Sequence, residues 1–226
     1  MNHFSIETAF NHGWELFKKN TKLLVLASIV YLFSLGLQNI DFLYPTYSLQ
    51  SRVFVLLVSF VLATAIQIGW YKILLKLIED KDVKLKEMFD HGSLVLKYFC
   101  TFILFVLIVS LPAILGSLVG SFLLDVNAIA FGIVIFLAVL ETIILALKFQ
   151  FAPILVIDSQ IGIINAFKKS EEMTRGVKGR LFILFIVMGI ANFLGALFFG
   201  VGMIVSTPVS TLAYLQVYRK LHSENA

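Results

Sequence analysis

Between positions 94 and 124 the chain carries a single charged side chain, Lys97. A helix rises 1.5 Å per residue, so about 20 apolar residues already cross a bilayer. Inside that slab every backbone N–H and C=O has to be satisfied within the protein, which leaves helices or a closed barrel. An unbroken run of this length favours a helix. Five further runs share its character: 23–37 extended through 40, 53–71, 128–147, 181–199 and 203–218. With 59% hydrophobic and 14% charged residues over 226 positions, a soluble domain would have too little interior to hide them. The expected fold is an all-α integral membrane protein with six transmembrane helices, in a single membrane domain spanning 1–226.

The runs are punctuated. Pro112 sits inside the longest one and Pro208 inside the last, where each is expected to bend its helix. Gly116 and Gly120, like Ser117 and Ser121, stand four apart, a spacing that lets helices approach closely in lipid. Tyr44, Pro45 and Tyr47 mark a loop at 41–51, a short turn falls at 125–127, and Gly200-Val201-Gly202 allows a tight return.

Three polar stretches between runs keep helical spacing. In residues 4–20, Ile6, Phe10, Gly13, Trp14 and Phe17 recur on one side, with Ser5 as N-cap and Glu7 in the first turn. A second stretch carries Leu85, Met88, Phe89, Gly92 and Leu96, with Asp82 as its expected cap. The third follows an apolar run that ends at Ala152-Pro153. Asp158 or Ser159 is its expected cap, and Gly176 its stop. All three are expected to be cytoplasmic amphipathic helices lying at the membrane surface.

Their cores align as Ala9-Phe10-Asn11-His12-Gly13, Met88-Phe89-Asp90-His91-Gly92 and Ala166-Phe167-Lys168-Lys169-Ser170, with the phenylalanines 79 and 78 positions apart. One reading is a threefold repeat of surface helix plus transmembrane hairpin, at 4–81, 82–157 and 158–222. The other is chance likeness among amphipathic helices.

Charge placement sets the orientation. Of the 18 Lys and Arg residues, only Arg52 falls in a connection of the opposite set. The positive-inside rule puts both termini in the cytoplasm. Glu7, Glu15, Lys18 and Lys19 interrupt the first 21 residues, so no cleavable signal core is expected there. Cys100 is the one cysteine, which excludes an intramolecular disulfide and a cysteine-based metal cluster. Most of the 22 Phe residues lie inside apolar runs, not on a basic soluble face, so no nucleic-acid partner is expected.

Gly13-Trp14-x-x-Phe17-Lys18-x-Asn20, Ala152-Pro153 with Asp158, and Ala166-Phe167-Lys168-Lys169-Ser170 before Gly176 form a pattern. Gly200-x-Gly202, Pro208 and Tyr218-Arg219 extend it. In these features the chain resembles a group of bacterial polytopic membrane proteins of undefined role. Some members of the group form the membrane domain fused to glycerophosphodiester phosphodiesterases. The resemblance implies about six spans in a bacterial cytoplasmic (inner) membrane. It supplies no catalytic residues, and lipid hydrolysis is not implied.

Two sets of residues are candidates for function. Lys168, Lys169, Arg175, Lys178 and Arg180 cluster beside the fifth run and suit anionic lipid headgroups, or serve as topology signals alone. Glu141 falls inside the fourth run, where a charge costs several kcal/mol. Lys148, Gln67 and Asn192 are its candidate polar partners, in a coupling site or a plain interhelical contact. His12 and His91 share a repeat position, but Lys169 replaces them in the third copy, so no metal site is expected. No nucleophile elbow, zinc pair or phosphate loop occurs, and neither an enzyme nor a cofactor is expected. The expected role is a non-enzymatic scaffold or accessory acting on membrane lipids or a membrane-protein partner. The second reading is a small transporter or channel component with Glu141 in its pathway.

Overall fold

The computed structural model describes residues 4–37, 48–90, 92–123, 127–198 and 200–225. They form α1 (Ile6–Lys19), α2 (Thr21–Leu37), α3 (Leu49–Ile78), a 3-10 helix (Leu85–Phe89), α4 (Gly92–Leu123) and α5 (Ala128–Phe149). Then follow α6 (Ala152–Asp158), α7 (Ile163–Thr174), α8 (Lys178–Leu197) and α9 (Met203–Glu224). No strand occurs among the described residues. The extension at 38–40, the loop residues Tyr44, Pro45 and Tyr47, His91, Asp125, Phe199 and the Arg52 side chain lie outside what is described.

Among the described residues four segments are long and apolar enough to cross a membrane: Val53–Ile78, Gly92–Leu123, Ala128–Asp158 and Lys178–Leu197. Two expected spans fall short of that description. Helix α2 has 17 described residues, at the short end of what a span needs, and its expected extension through 40 lies outside what is described. Helix α9 carries Gln216, Arg219, Lys220 and His222 in its second half. Its inward side runs from Pro208 to Leu221 and is almost wholly buried, so protein, rather than lipid, receives its apolar side chains.

The chain divides into two compact units, Met1–Tyr98 with Ile183–Ala226, and Phe99–Phe182. In the first, Ser5 caps α1 as the sequence predicts, its hydroxyl accepting the Thr8 N–H at 3.3 Å. Ala9, Gly13, Leu16 and Phe17 of α1 are buried. Gly13 lies against the α9 backbone, where a Cβ would stand 2.8 Å from the Val209 carbonyl oxygen. Between α2 and α3, Tyr31 stacks on Trp70 with centroids 4.9 Å apart. The region expected to be a second surface helix is a single 3-10 turn. It starts after Lys84, not at Asp82, because the Glu87 carboxylate accepts the Lys84 N–H at 3.0 Å. The other Glu87 oxygen holds Lys76 of α3 at 2.6 Å. Met88 of this turn is fully buried, and a Cβ on Gly69 of α3 would collide with the Met88 backbone.

The polar end of this unit is stitched by ion pairs. Asp80, in the left-handed region at φ +53, holds Lys19 at 2.9 Å. Its neighbour Glu79 receives both Lys81 and Arg219 of α9. The Lys81 hydrogen bond, then the Arg219 charge, keep Glu79 below the usual carboxylate range against partial burial. Lys19 does the same for Asp80.

In the second unit, α4 runs unbroken through Pro112. Gly116 faces Ala138 of α5 so closely that any Cβ would overlap it, and Gly120 lies against Phe131. This is the close approach its four-residue spacing predicts. Helix α5 continues to Phe149, and Pro153 does not end the apolar run. It sits in the first turn of α6, where its missing N–H has no intrahelical role. Residues Ala152 to Ile157 are all buried. Because that apolar stretch stays helical through Asp158, α7 starts later than Asp158 or Ser159 predicts, after Gly162.

Candidate functional site

Helix α7 is oriented by two hydroxyls. Ser170 donates to the Lys148 carbonyl at 2.9 Å and accepts the Phe151 N–H at 3.2 Å, so it bridges the break between α5 and α6. The Thr174 hydroxyl lies 3.2 Å from the same carbonyl and 3.0 Å from its own Ser170 carbonyl. Phe167 meets Phe149 at 5.2 Å, and Glu171 pairs with Lys148 at 2.8 Å. Ala166, Phe167, Ser170, Met173 and Thr174 are buried, which turns Lys168, Glu171, Glu172 and Arg175 outward. Those four stand at i, i+3, i+4 and i+7, one stripe of a helix.

Beyond Thr174 the chain reverses at Gly176, whose φ of +80 is a conformation glycine adopts without strain. The reversal brings Lys178, the first residue of α8, back to the stripe. Together they enclose a cleft of about 360 Å³ lined by Lys168, Glu171, Glu172, Arg175 and Lys178. Lys168 and Glu172 stand four apart, and Glu172 and Arg175 three apart, spacings that pair readily on a helix surface. Neither pair closes, and among the described residues Lys168, Glu172, Arg175 and Lys178 have no side-chain ion pair. The charges stand around an open space with three cations and one uncommitted carboxylate.

Of the five basic residues singled out from sequence, Lys168, Arg175 and Lys178 line the cleft. Lys169 and Arg180 do not, and both are half-buried. Glu171 and Glu172 are cleft residues the sequence reading passed over. Their place in the i, i+3, i+4, i+7 stripe is the signal that finds them.

The candidate intramembrane residues go separate ways. Glu141 is exposed on α5 and makes no hydrogen bond or ion pair with a described residue. Lys148, about 10 Å further along the same helix, is engaged by Glu171. Gln67 shares a hydrogen bond with the Tyr71 hydroxyl one turn away. Asn192 donates to the Met188 carbonyl at 3.0 Å and stands 3.5 Å from the Thr207 hydroxyl. His12 is hydrogen-bonded to Gln216 of α9 and borders a smaller cleft of about 280 Å³ with Lys220. No group of three or more His, Cys, Asp or Glu among the described residues is placed to hold a metal ion.

Apolar helices of spanning length, with charge gathered in the connections, define an all-helical protein of the membrane class. Residues 4–221 match the family described as a domain of unknown function, DUF7847, and the chain belongs to that family. No curated protein and no solved structure matches it.

Proposed function

We propose that the chain is a non-enzymatic membrane protein that engages phospholipid headgroups at the corner between α7 and α8. It acts there as a scaffold or accessory for lipid organisation or for a partner complex. In this reading α2, α3, α4, α5, α8 and α9 are six spans of a bacterial cytoplasmic membrane, with both termini in the cytoplasm. The shared Ala9, Met88 and Ala166 positions, all buried, favour a threefold repeat. The likeness to the membrane domains of glycerophosphodiester phosphodiesterases fits a lipid-facing role.

One observation carries the reading: three cations with no ion pair among the described residues surround a cleft at the residue where α8 enters its apolar segment. Each basic residue near an anionic membrane surface contributes about 1 kcal/mol, so three amount to about a hundredfold in affinity. The test compares two variants of the full chain, purified in mild detergent, for retained phospholipid. Neutralising Lys168, Arg175 and Lys178 to Ala is expected to strip most of it, while Lys169→Ala with Arg180→Ala keeps it. Equal loss from both sets would reduce the basic residues to topology signals.

A transport component is the second reading, favoured by Glu141 on α5, which has no polar partner among the described residues. Proton or cation flux into liposomes that Glu141→Gln abolishes would support it. Flux unchanged by that substitution would remove Glu141 from any pathway.

A further inference from the structure

The cleft carries negative as well as positive charge, and the arrangement of the two selects among headgroups. We propose that the corner between α7 and α8 recognises a phosphoethanolamine group, a phosphate ester with an ammonium two carbons away, in preference to a headgroup that is only anionic. The proposal rests on the headgroup reading above and refines it.

Glu171 is committed to Lys148 at 2.8 Å, so it is partly neutralised. Glu172 is not. It faces the same cleft as Lys168, Arg175 and Lys178, at spacings from which it would ordinarily pair with two of them, and pairs with neither. A phosphate diester suits the cations, and Arg175 offers the forked donors that match phosphate oxygens. A purely anionic headgroup is held by the three cations but brings no positive group to pair with the Glu172 carboxylate. An ammonium on the same headgroup supplies one. At about 360 Å³ the cleft has room for a headgroup, and every residue that lines it is charged.

The same chemistry exists on a lipid and on a water-soluble ester, and the experiment separates them. The full chain in detergent is titrated by native mass spectrometry with phosphatidylethanolamine, phosphatidylglycerol and soluble glycerophosphoethanolamine. Wild type is expected to bind the ethanolamine lipid about fivefold more tightly than the glycerol lipid, the scale of one exposed charge pair. Glu172→Gln should erase that preference, and Arg175→Ala should weaken both lipids. If Glu172→Gln leaves the ratio unchanged, or wild type prefers the glycerol lipid, the ethanolamine inference fails while the headgroup reading stands. If Arg175→Ala changes neither lipid, the headgroup reading itself falls. Soluble ester binding as tightly as the lipid overturns the membrane source. A circular dichroism spectrum matching wild type establishes that each variant is folded.

Discussion

Ser170 has the standing of a surface residue in the sequence, the fifth member of a charged-looking motif. In the fold its hydroxyl is buried and joins the Lys148 carbonyl to the Phe151 N–H. Removing two such bonds costs about 1–3 kcal/mol. Ser170→Ala is therefore expected to lower the midpoint of thermal unfolding in detergent, while Asn165→Ala, on the exposed side of α7, leaves it in place. Two glycines make a second comparison. Alanine at Gly69 drives a methyl into the Met88 backbone and should cost about 1–3 kcal/mol as overpacking. At Gly132 nothing lies within 4 Å of the new methyl. There the gain in helix propensity, up to about 1 kcal/mol, should make Gly132→Ala neutral or stabilising. A loss of stability at Gly69 and none at Gly132 in the same unfolding assay would check both.

Elements in this chain are held by their ends. The turn after α3 offers two adjacent carboxylates, Glu79 and Asp80, to cations from α1, α9 and the turn itself. Both carboxylates are held below their ordinary values, Glu79 chiefly by Lys81 and Asp80 chiefly by Lys19. Groups lowered in the folded state stabilise it above their unfolded pKa, about 4 for these residues. That contribution is lost as pH falls through the lower folded values. Unfolding midpoints measured from pH 7 to pH 3 should therefore drop at the acid end, and the double variant Glu79→Gln with Asp80→Asn should flatten the drop. The Lys19–Asp80 pair is largely exposed, so its share of the effect should shrink at high salt. The second surface helix shows how elements escape a sequence reading. Its spacing was helical, but Glu87 turns back to the Lys84 N–H and across to Lys76, and five residues of 3-10 helix result.

At the scale of the molecule, the strongest prediction is topological. With the six proposed spans, cations gather in one set of connections and Arg52 alone in the other, so reporter tags at the two ends should both read out as cytoplasmic. Tags on opposite sides would refute an even number of crossings. Helix α9 bears on this count. Its buried side from Pro208 to Leu221 packs against protein, and its place among the proposed six spans is what the tags would test.

The all-helical build and the apolar segments of spanning length were readable from sequence, as was the Ser5 cap. Each is set by local spacing and by the rule that backbone groups in an apolar slab must be satisfied within the protein. The cleft was half readable. Lys168, Arg175 and Lys178 stood out as charges, but which basic residues share a space depends on how α7 is rotated about its axis. Ser170 and Thr174 set that rotation by reaching the Lys148 carbonyl more than twenty residues back in the chain. Local periodicity carries no information on a partner so distant. Tertiary packing alone decided that Lys169 and Arg180 fall outside the cleft and that Glu172 falls inside it.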